Sequence, residues 1–329
     1  MKIIIIGGNG LLGSYTASEA LQRGHKVTIL SRKAGTGNVN NSEGIRFSQG
    51  NVYELSSDEL KTIFEGHDAV VYSYNIDDRE IQKRPAYEAF HYDHVTVCEK
   101  VLLAAKNCGV QKFIVFGSYF TYFNEKYPEL KLADKHCYIK TRCEQRDMIL
   151  HHSSDGFKTY VLELPYILGV LPGKVPPWTL FLSMLSGKGR QAVFFKKGGT
   201  AAVTAGQVGN ATINIIEGNQ ESESIPLCGV NLSWTDIANT YFELTRKPKT
   251  LIQLPVVLFK IFGIVSSVAL WLTGKERGLS VCHFADLQYH NTFIDPEISN
   301  SKTGISHENY NERLKEVIEE WISINKRNG

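Results

Sequence analysis

Three glycines, Gly7, Gly10 and Gly13, stand three residues apart directly after the run Ile3-Ile4-Ile5-Ile6. A strand, a glycine turn and a helix in that order can hold a phosphate. Gly7 suits the tight turn, Gly10 leaves room for a ligand against the backbone, and Gly13 lets the helix pack close to the sheet. The helix from Leu11 to about Gln22 then points its free N–H groups and its dipole at an anion. Asn9, Leu11 and Leu12 lie between the glycines and belong to the same candidate cradle. Further along, Ser31-Arg32-Lys33 places two cations after a hydroxyl. Ser118 closes a run of apolar residues. Tyr138 and Arg142 are four apart, so a phenol and a guanidinium share one face of a helix.

The elements that must position these groups follow from the apolar pattern. Four consecutive isoleucines read as a strand buried on both faces. Further strands are expected over 25–30, 45–48, 68–74, 112–117 and 158–164. Helices are expected over 86–107 and 136–151, and after the capping-box pattern Ser56-Ser-Asp-Glu59. This alternation predicts an α/β chain of the Rossmann type, a doubly wound parallel sheet. Ligands of such sheets bind beyond the C-terminal strand ends, where Gly7, Arg32, Asn51, Tyr74 and Ser118 would gather. The second strand would end beside the adenosine ribose of a dinucleotide. An acid there favours NAD; serine followed by Arg32 and Lys33 suits a 2′-phosphate, so NADP is the expected cofactor and NAD the weaker candidate. An ordinary solvated Arg-Lys pair is the bland alternative. Residues 34–44, rich in Gly, Asn and Ser, read as a mobile surface loop.

Composition narrows the class. The chain has 329 residues, 43% hydrophobic, and a net charge of +2, which carries no nucleic-acid signature. Its six cysteines, at 98, 108, 137, 143, 228 and 282, form no Cys-x-x-Cys pair and no zinc spacing, so reduced thiols and no metal are expected. The first apolar run is too short for a signal peptide, which makes the cytoplasm the expected location.

The chain resembles the short-chain dehydrogenase/reductase superfamily, in particular its extended and atypical branch with the NAD-dependent epimerase/dehydratase type. Gly7, Gly10 and Gly13 match the family's Gly-x-x-Gly-x-x-Gly. Gly50-Asn51 stands for its Gly-Asp, and Ser118, four residues before Tyr122, for its catalytic Ser or Thr. Tyr138 matches the tyrosine of Tyr-x-x-x-Lys, with Arg142 in the lysine's place. Leu164-Pro165 takes the position of its Arg-Pro, and Tyr74-Asn75 replaces small residues after the fourth strand. The resemblance implies cofactor contacts at Asn51, Tyr74 and Pro165. It also implies a catalytic set of Ser118, Tyr138 and Arg142, with the tyrosine as acid/base, the serine orienting the reacting oxygen and a cation holding the nicotinamide ribose. A free phenol titrates near ~10, too high for a base at neutral pH. A cation at ~4 Å with an effective dielectric of ~20 is worth about 4 kcal/mol, or about 3 pH units. Arginine supplies the charge, but its planar, longer head need not keep the ribose contact.

The implied activity is that of an NADP-dependent reductase or dehydrogenase on a carbonyl/hydroxyl pair of a small molecule, with a sugar-nucleotide epimerase or dehydratase as a variant. The alternative is a dinucleotide-binding sensor or scaffold without turnover. Residues 1–170 are expected to form the dinucleotide-binding core. Residues 171–329 would be mainly a substrate-binding lobe with helices packing back on the core. Of the aromatics Phe120, Tyr122, Tyr166 and Trp178, the pocket is assigned to Tyr122 and Tyr166, which follow sheet ends. The stretch 254–272 is unusually apolar, interrupted by Lys260, Pro255 and Gly263. It reads as a buried or surface-docked helix pair, with weak membrane-surface contact or contact with a partner as the first alternative and a true membrane span as the last. A small-molecule substrate is the expected partner, and association into a homo-oligomer stays open.

Overall fold

The computed structural model describes residues 1–33, 44–171, 174, 176, 178–187, 189–305 and 307–328. The loop expected over 34–44 lies outside the described residues except for Gly44. Strand β1 (Lys2–Ile6) is an inner strand of the central sheet. Its side chains alternate between two cores. Ile3 and Ile5 enter one cluster, while Ile4 and Ile6 enter another on the opposite face. The expected two-sided burial follows from this alternation.

After β1 come helix α1 (Leu11–Gln22), β2 (Lys26–Ser31), β3 (Ile45–Gln49), α2 (Ser57–Phe64) and β4 (Ala69–Tyr72). Ser56 and Glu59 form the capping box at the start of α2. A continuous helix over 86–107, here α3, has a π-helical middle at Tyr92–Val97. Then follow β5 (Lys112–Ser118), α4 (Cys137–His151) and β6 (Lys158–Leu164). Helix α5 (Ala205–Glu217) and strand β7 (Glu223–Pro226) complete the core. The central sheet runs β7-β6-β5-β4-β1-β2-β3, all parallel. The chain leaves β1 toward β2 on one side and returns to β4 on the other, so the strand order reverses between β1 and β4. A ligand crevice belongs at such a reversal.

The C-terminal half contributes to this core as well as to a lobe. Helix α5 lies against α1 so closely that a Cβ on Gly209 would stand 3.0 Å from the Tyr15 carbonyl oxygen. Val208, Ile213 and Ile216 of α5 join the cluster of Ile3 and Ile5. Arg23 of α1 donates to Asn214 and Glu217 at 2.6 and 2.8 Å. The lobe is built on Gly199–Thr204, which pairs in parallel with Tyr166–Leu168 and antiparallel with Val230–Ser233. Its core gathers Trp178, Phe181, Phe194, Trp234 and, from the last helix, Leu314, Val317, Ile318 and Trp321.

The aromatic segment after Ser118 forms a helix, Phe120–Lys126, because Phe120 and Phe123 fall on one buried side. Residues 254–272 hold a single helix, α6 (Val256–Leu272), rather than a pair. Gly263 does not break it. A Cβ there would come within 2.5 Å of the backbone nitrogen of Cys282, so glycine lets α6 rest on α7 (Val281–Gln288). Among the described residues no helix is long and apolar enough to cross a membrane.

Candidate functional site

A cleft of about 1790 Å³ opens over the C-terminal strand ends. Its floor is the glycine turn. Gly7 has φ +81°, a backbone favourable only to glycine, and its N–H donates to the Leu30 carbonyl at 3.0 Å. A Cβ on Gly13 would stand 2.5 Å from the Gly7 oxygen, so α1 packs onto the turn as the spacing demanded. Gly10 meets only the Gly7 oxygen, at 3.2 Å, and otherwise faces open space. Gly10 is the N-cap of α1, no side chain caps that end, and no acid occupies the first turn. These orphan N–H groups suit an anion, and the site fits the pyrophosphate of a dinucleotide.

Asn9, Leu11, Leu12, Ser31, Arg32, Lys33, Asn51, Tyr74 and Pro165 line the same cleft. Asn9 donates from Nδ2 to Ser31 Oγ at 2.6 Å and to the Lys33 carbonyl at 2.9 Å, which ties the end of β2 to the glycine turn. The Arg32 guanidinium lies 5.7 Å from the centre of the Tyr74 ring. Among the described residues Arg32 and Lys33 enter no ion pair with a carboxylate. Gly13 supports the cradle from behind and does not line it.

At the other end of the cleft Ser118 and Tyr138 line the wall, and Arg142 stands behind Tyr138. Arg142 donates from Nε to the Tyr138 hydroxyl at 3.1 Å and from Nη1 to Gln145 Oε1 at 2.8 Å and the Phe116 carbonyl at 3.4 Å. Gln145 in turn donates to Asn75 Oδ1 at 3.2 Å. Phe90 and His94 set their rings edge-on to Tyr138 at 5.6 and 5.4 Å, fixing its plane. Burial raises the Tyr138 hydroxyl above its usual range, Arg142 pulls it down, and Asp78 pushes it up, with a net upward result. The cation therefore offsets part of the burial cost without outweighing it. Arg142 is itself buried and not on the cleft surface.

Of the two aromatics assigned to the pocket, Tyr166 lines the cleft and Tyr122 does not. The helix Phe120–Lys126 starts at once after Tyr119 and carries Tyr122 away, under the Lys126 ammonium at 5.3 Å. Tyr119 and Phe120 take the wall position. Trp178 is fully buried, its indole N–H donating to the Ile167 carbonyl at 2.7 Å.

Sequence reasoning missed Asp77, Asp78 and Arg79, which also line the cleft. Burial opposes the Asp77 carboxylate, yet Arg79, donating from Nε at 2.6 Å, holds it below the usual range. Burial and the adjacent Asp77 raise Asp78. The signal was available: two acids and an arginine soon after β4, where a parallel sheet binds its ligands. Among the described residues no group of His, Cys, Asp and Glu could hold a metal ion.

Comparison with known proteins agrees with this geometry. Residues 7–153 match the family model described as NAD(P)H-binding. A UDP-glucose 4-epimerase of Klebsiella pneumoniae is 53% identical over 30 residues, which are 9% of this chain and 22% of that relative's length. Among solved structures, gox2253 has a TM-score of 0.75 at 17% identity, covering 99% of this chain and 98% of its own. The UDP-glucose-4-epimerase of Stenotrophomonas maltophila with bound NAD has a TM-score of 0.70 at 13% identity, covering 100% of both chains. The Bordetella bronchiseptica enzyme WbmH in complex with NAD⁺ has a TM-score of 0.67 at 17% identity, with 98% of each chain covered. Residues 7–153 thus match an NAD(P)H-binding family model within a Rossmann-type fold shared with these structures, as the resemblance implied.

Proposed function

We propose that the chain is an NADP-dependent oxidoreductase of the epimerase/dehydratase type, acting on a carbonyl/hydroxyl pair of a small molecule. The observation that carries the reading is the Tyr138 phenol on the cleft wall, hydrogen-bonded by Arg142 and sharing the cleft with Ser118. The glycine turn and the α1 N-terminus would hold the pyrophosphate, and Arg32 and Lys33 a 2′-phosphate. The nicotinamide, when bound, supplies or accepts hydride. Tyr138 exchanges a proton with the substrate oxygen, Ser118 fixes that oxygen by a hydrogen bond, and Arg142 stabilises the phenolate that forms. Arg142 then has no reach to the ribose, so ribose binding falls to other groups of the cleft. Neighbours with UDP-sugars bound, such as MoeE5 with UDP-glucuronic acid and NAD, support a sugar nucleotide as one substrate class.

One observation favours a second reading. The cation that would activate Tyr138 is an arginine turned into the protein, and the phenol stays above its usual range. A dinucleotide-binding sensor or scaffold without turnover fits that arrangement. The deciding assay follows the absorbance of reduced nicotinamide across carbonyls, alcohols and sugar nucleotides, with direct product analysis for epimerisation, which leaves the cofactor unchanged overall. With a substrate in hand, Tyr138→Phe should leave cofactor binding intact and lower turnover by roughly two to four decades. Full turnover in that variant refutes Tyr138 as the acid/base.

A further inference from the structure

Helix α6 is apolar nearly all round, yet the protein covers only one stripe of it. Phe259, Gly263, Ser266 and Leu270, at helical spacing, face inward, and Gly263 alone is fully buried. On the remaining circumference Val257 is 67% exposed, Phe262 63% and Leu272 72%, with Leu258, Val265 and Trp271 also open. Soluble surfaces rarely carry so large a contiguous apolar patch without a partner. Ile252 and Val193, paired across two strands just before the helix, extend the patch.

Cations rim it. Beyond the C-terminal end of α6, Lys275 pairs directly with Lys83 across a two-stranded ribbon, and both are exposed. Like charges at such a position repel unless an anion lies between or beside them. Arg84 adjoins them, its guanidinium 5.2 Å from the centre of the Trp271 ring. On the other side, along the strand pair that leads into α6, Arg190 and Lys196 are exposed, the Arg190 carbonyl accepting from the Thr250 N–H at 3.0 Å and the Lys196 N–H donating to Gln253 Oε1 at 2.9 Å. Between residues 250 and 275 the chain has no Asp or Glu. Glu276 is turned inward, accepting from the Ala86 N–H at 2.8 Å. A second copy laid on this face would set cation against cation on both sides. An apolar face with a terminal tryptophan and a cationic rim instead matches an anionic bilayer surface.

We infer that α6 seats the protein in the interface of an anionic lipid membrane, lying in its plane. The helix spans about 25 Å at ~1.5 Å per residue, which is short of the ~30 Å hydrocarbon core. It therefore lies on the membrane and does not cross it. The support beneath it is α7, whose Val281 and Phe284 form part of the cleft wall. Docking thus brings the cleft wall to the membrane surface. This inference stands apart from the proposed chemistry, since lipid binding requires no turnover.

The test is flotation of the full chain with vesicles of phosphatidylcholine alone and of phosphatidylcholine mixed with phosphatidylglycerol. The chain should float with the mixed vesicles and at least tenfold less with the neutral ones. Val257→Ser, Phe262→Ser and Leu272→Ser together should reduce flotation at least tenfold, with circular dichroism unchanged because all three side chains are already exposed. Lys83→Gln, Arg84→Gln and Lys275→Gln together should weaken it about 10²-fold, at about fivefold per cation. Absence of flotation with mixed vesicles overturns the inference. So does flotation unchanged by the apolar variant, or a dimer in sedimentation that this variant dissolves while the parent ignores lipid.

Discussion

Gly10 and Gly13 sit in one turn but are glycine for different reasons, and paired substitutions separate them. At Gly10 the backbone is φ −78°, ψ 172°, extended geometry that valine adopts readily, and a Cβ would meet only the Gly7 oxygen at 3.2 Å. Gly10→Val should therefore still fold, the Gly7 carbonyl giving by a few tenths of an ångström, with a smaller loss of stability than at Gly13. Its branched side chain, however, would fill the space above the α1 N-terminus. If two charge-assisted bonds from backbone N–H groups to the pyrophosphate are lost, at ~1.5–3 kcal/mol each, affinity falls by about 10² to 10⁴-fold. At Gly13 a Cβ would lie 2.5 Å from the Gly7 oxygen and 2.7 Å from the Gly8 Cα, both backbone atoms that cannot swing aside. Gly13→Ala must push α1 off the turn by more than half an ångström to reach an ordinary contact. Overpacking of this kind costs about 1–3 kcal/mol, and the displaced N–H groups would weaken cofactor binding too. Calorimetric titration with NADPH and NADH, with thermal unfolding alongside, reads both effects. Parent-like affinity in folded Gly10→Val refutes the turn as the dinucleotide cradle. Parent-like melting of Gly13→Ala refutes the packing argument.

Arg32→Ala should reduce a preference for NADPH over NADH by about ten- to a hundredfold, the worth of one charge-assisted hydrogen bond; equal affinities in the parent chain remove the basis for NADP. Arg142→Met should lower kcat with a measured substrate while KM changes little, because Arg142 meets Tyr138 and not the cleft; a rise in KM alone would mean that it binds substrate. Acid should destabilise the fold through His136, which burial, with His283 adding to the effect, holds down at about 3. Its Nδ1 accepts from the Ser280 N–H at 2.9 Å, so the neutral form is built in. The folded value lies below the unfolded ~6.5, so this contribution is complete above pH ~6.5 and is lost as pH falls toward about 3, by about 2 kcal/mol between 6.5 and 5. Denaturant unfolding across that range should show the slope, and His136→Gln, which keeps an acceptor for Ser280, should flatten it; an unchanged slope refutes the assignment.

The features legible in the sequence were those that residue type alone encodes. A positive φ at Gly7 and a backbone contact at Gly13 demand glycine, so their spacing named the turn. Four isoleucines named the two-faced strand, and the four-residue interval put Tyr138 and Arg142 on one helix face. What stayed hidden depends on direction, which composition does not carry. Tyr122 left the cleft because the segment after Ser118 coils instead of extending. Arg142 turned inward because Gln145 and the Phe116 carbonyl offered buried acceptors. Asp77 and Asp78 belong to no motif, and only their place soon after β4 marks them as lying over the strand ends. Helix α6 is apolar enough to predict burial, and only the structure shows that most of it is bare.

The closure of the first core by late residues has a consequence for how the chain is made. Strand β1 and helix α1 are synthesised well before α5 and β7, yet the face bearing Ile3, Ile5 and Ala17 is covered by Val208, Ile213 and Ile216 of α5, and the sheet edge at β6 by β7. At ribosomal speeds of ~5–20 residues per second, roughly ten seconds or more separate Ile3 from Ile216. Throughout that interval the nascent chain holds an uncovered hydrophobic sheet face and an unpaired strand edge. It should therefore depend on chaperones until α5 has cleared the exit tunnel, and a fragment ending near residue 170 should aggregate rather than fold.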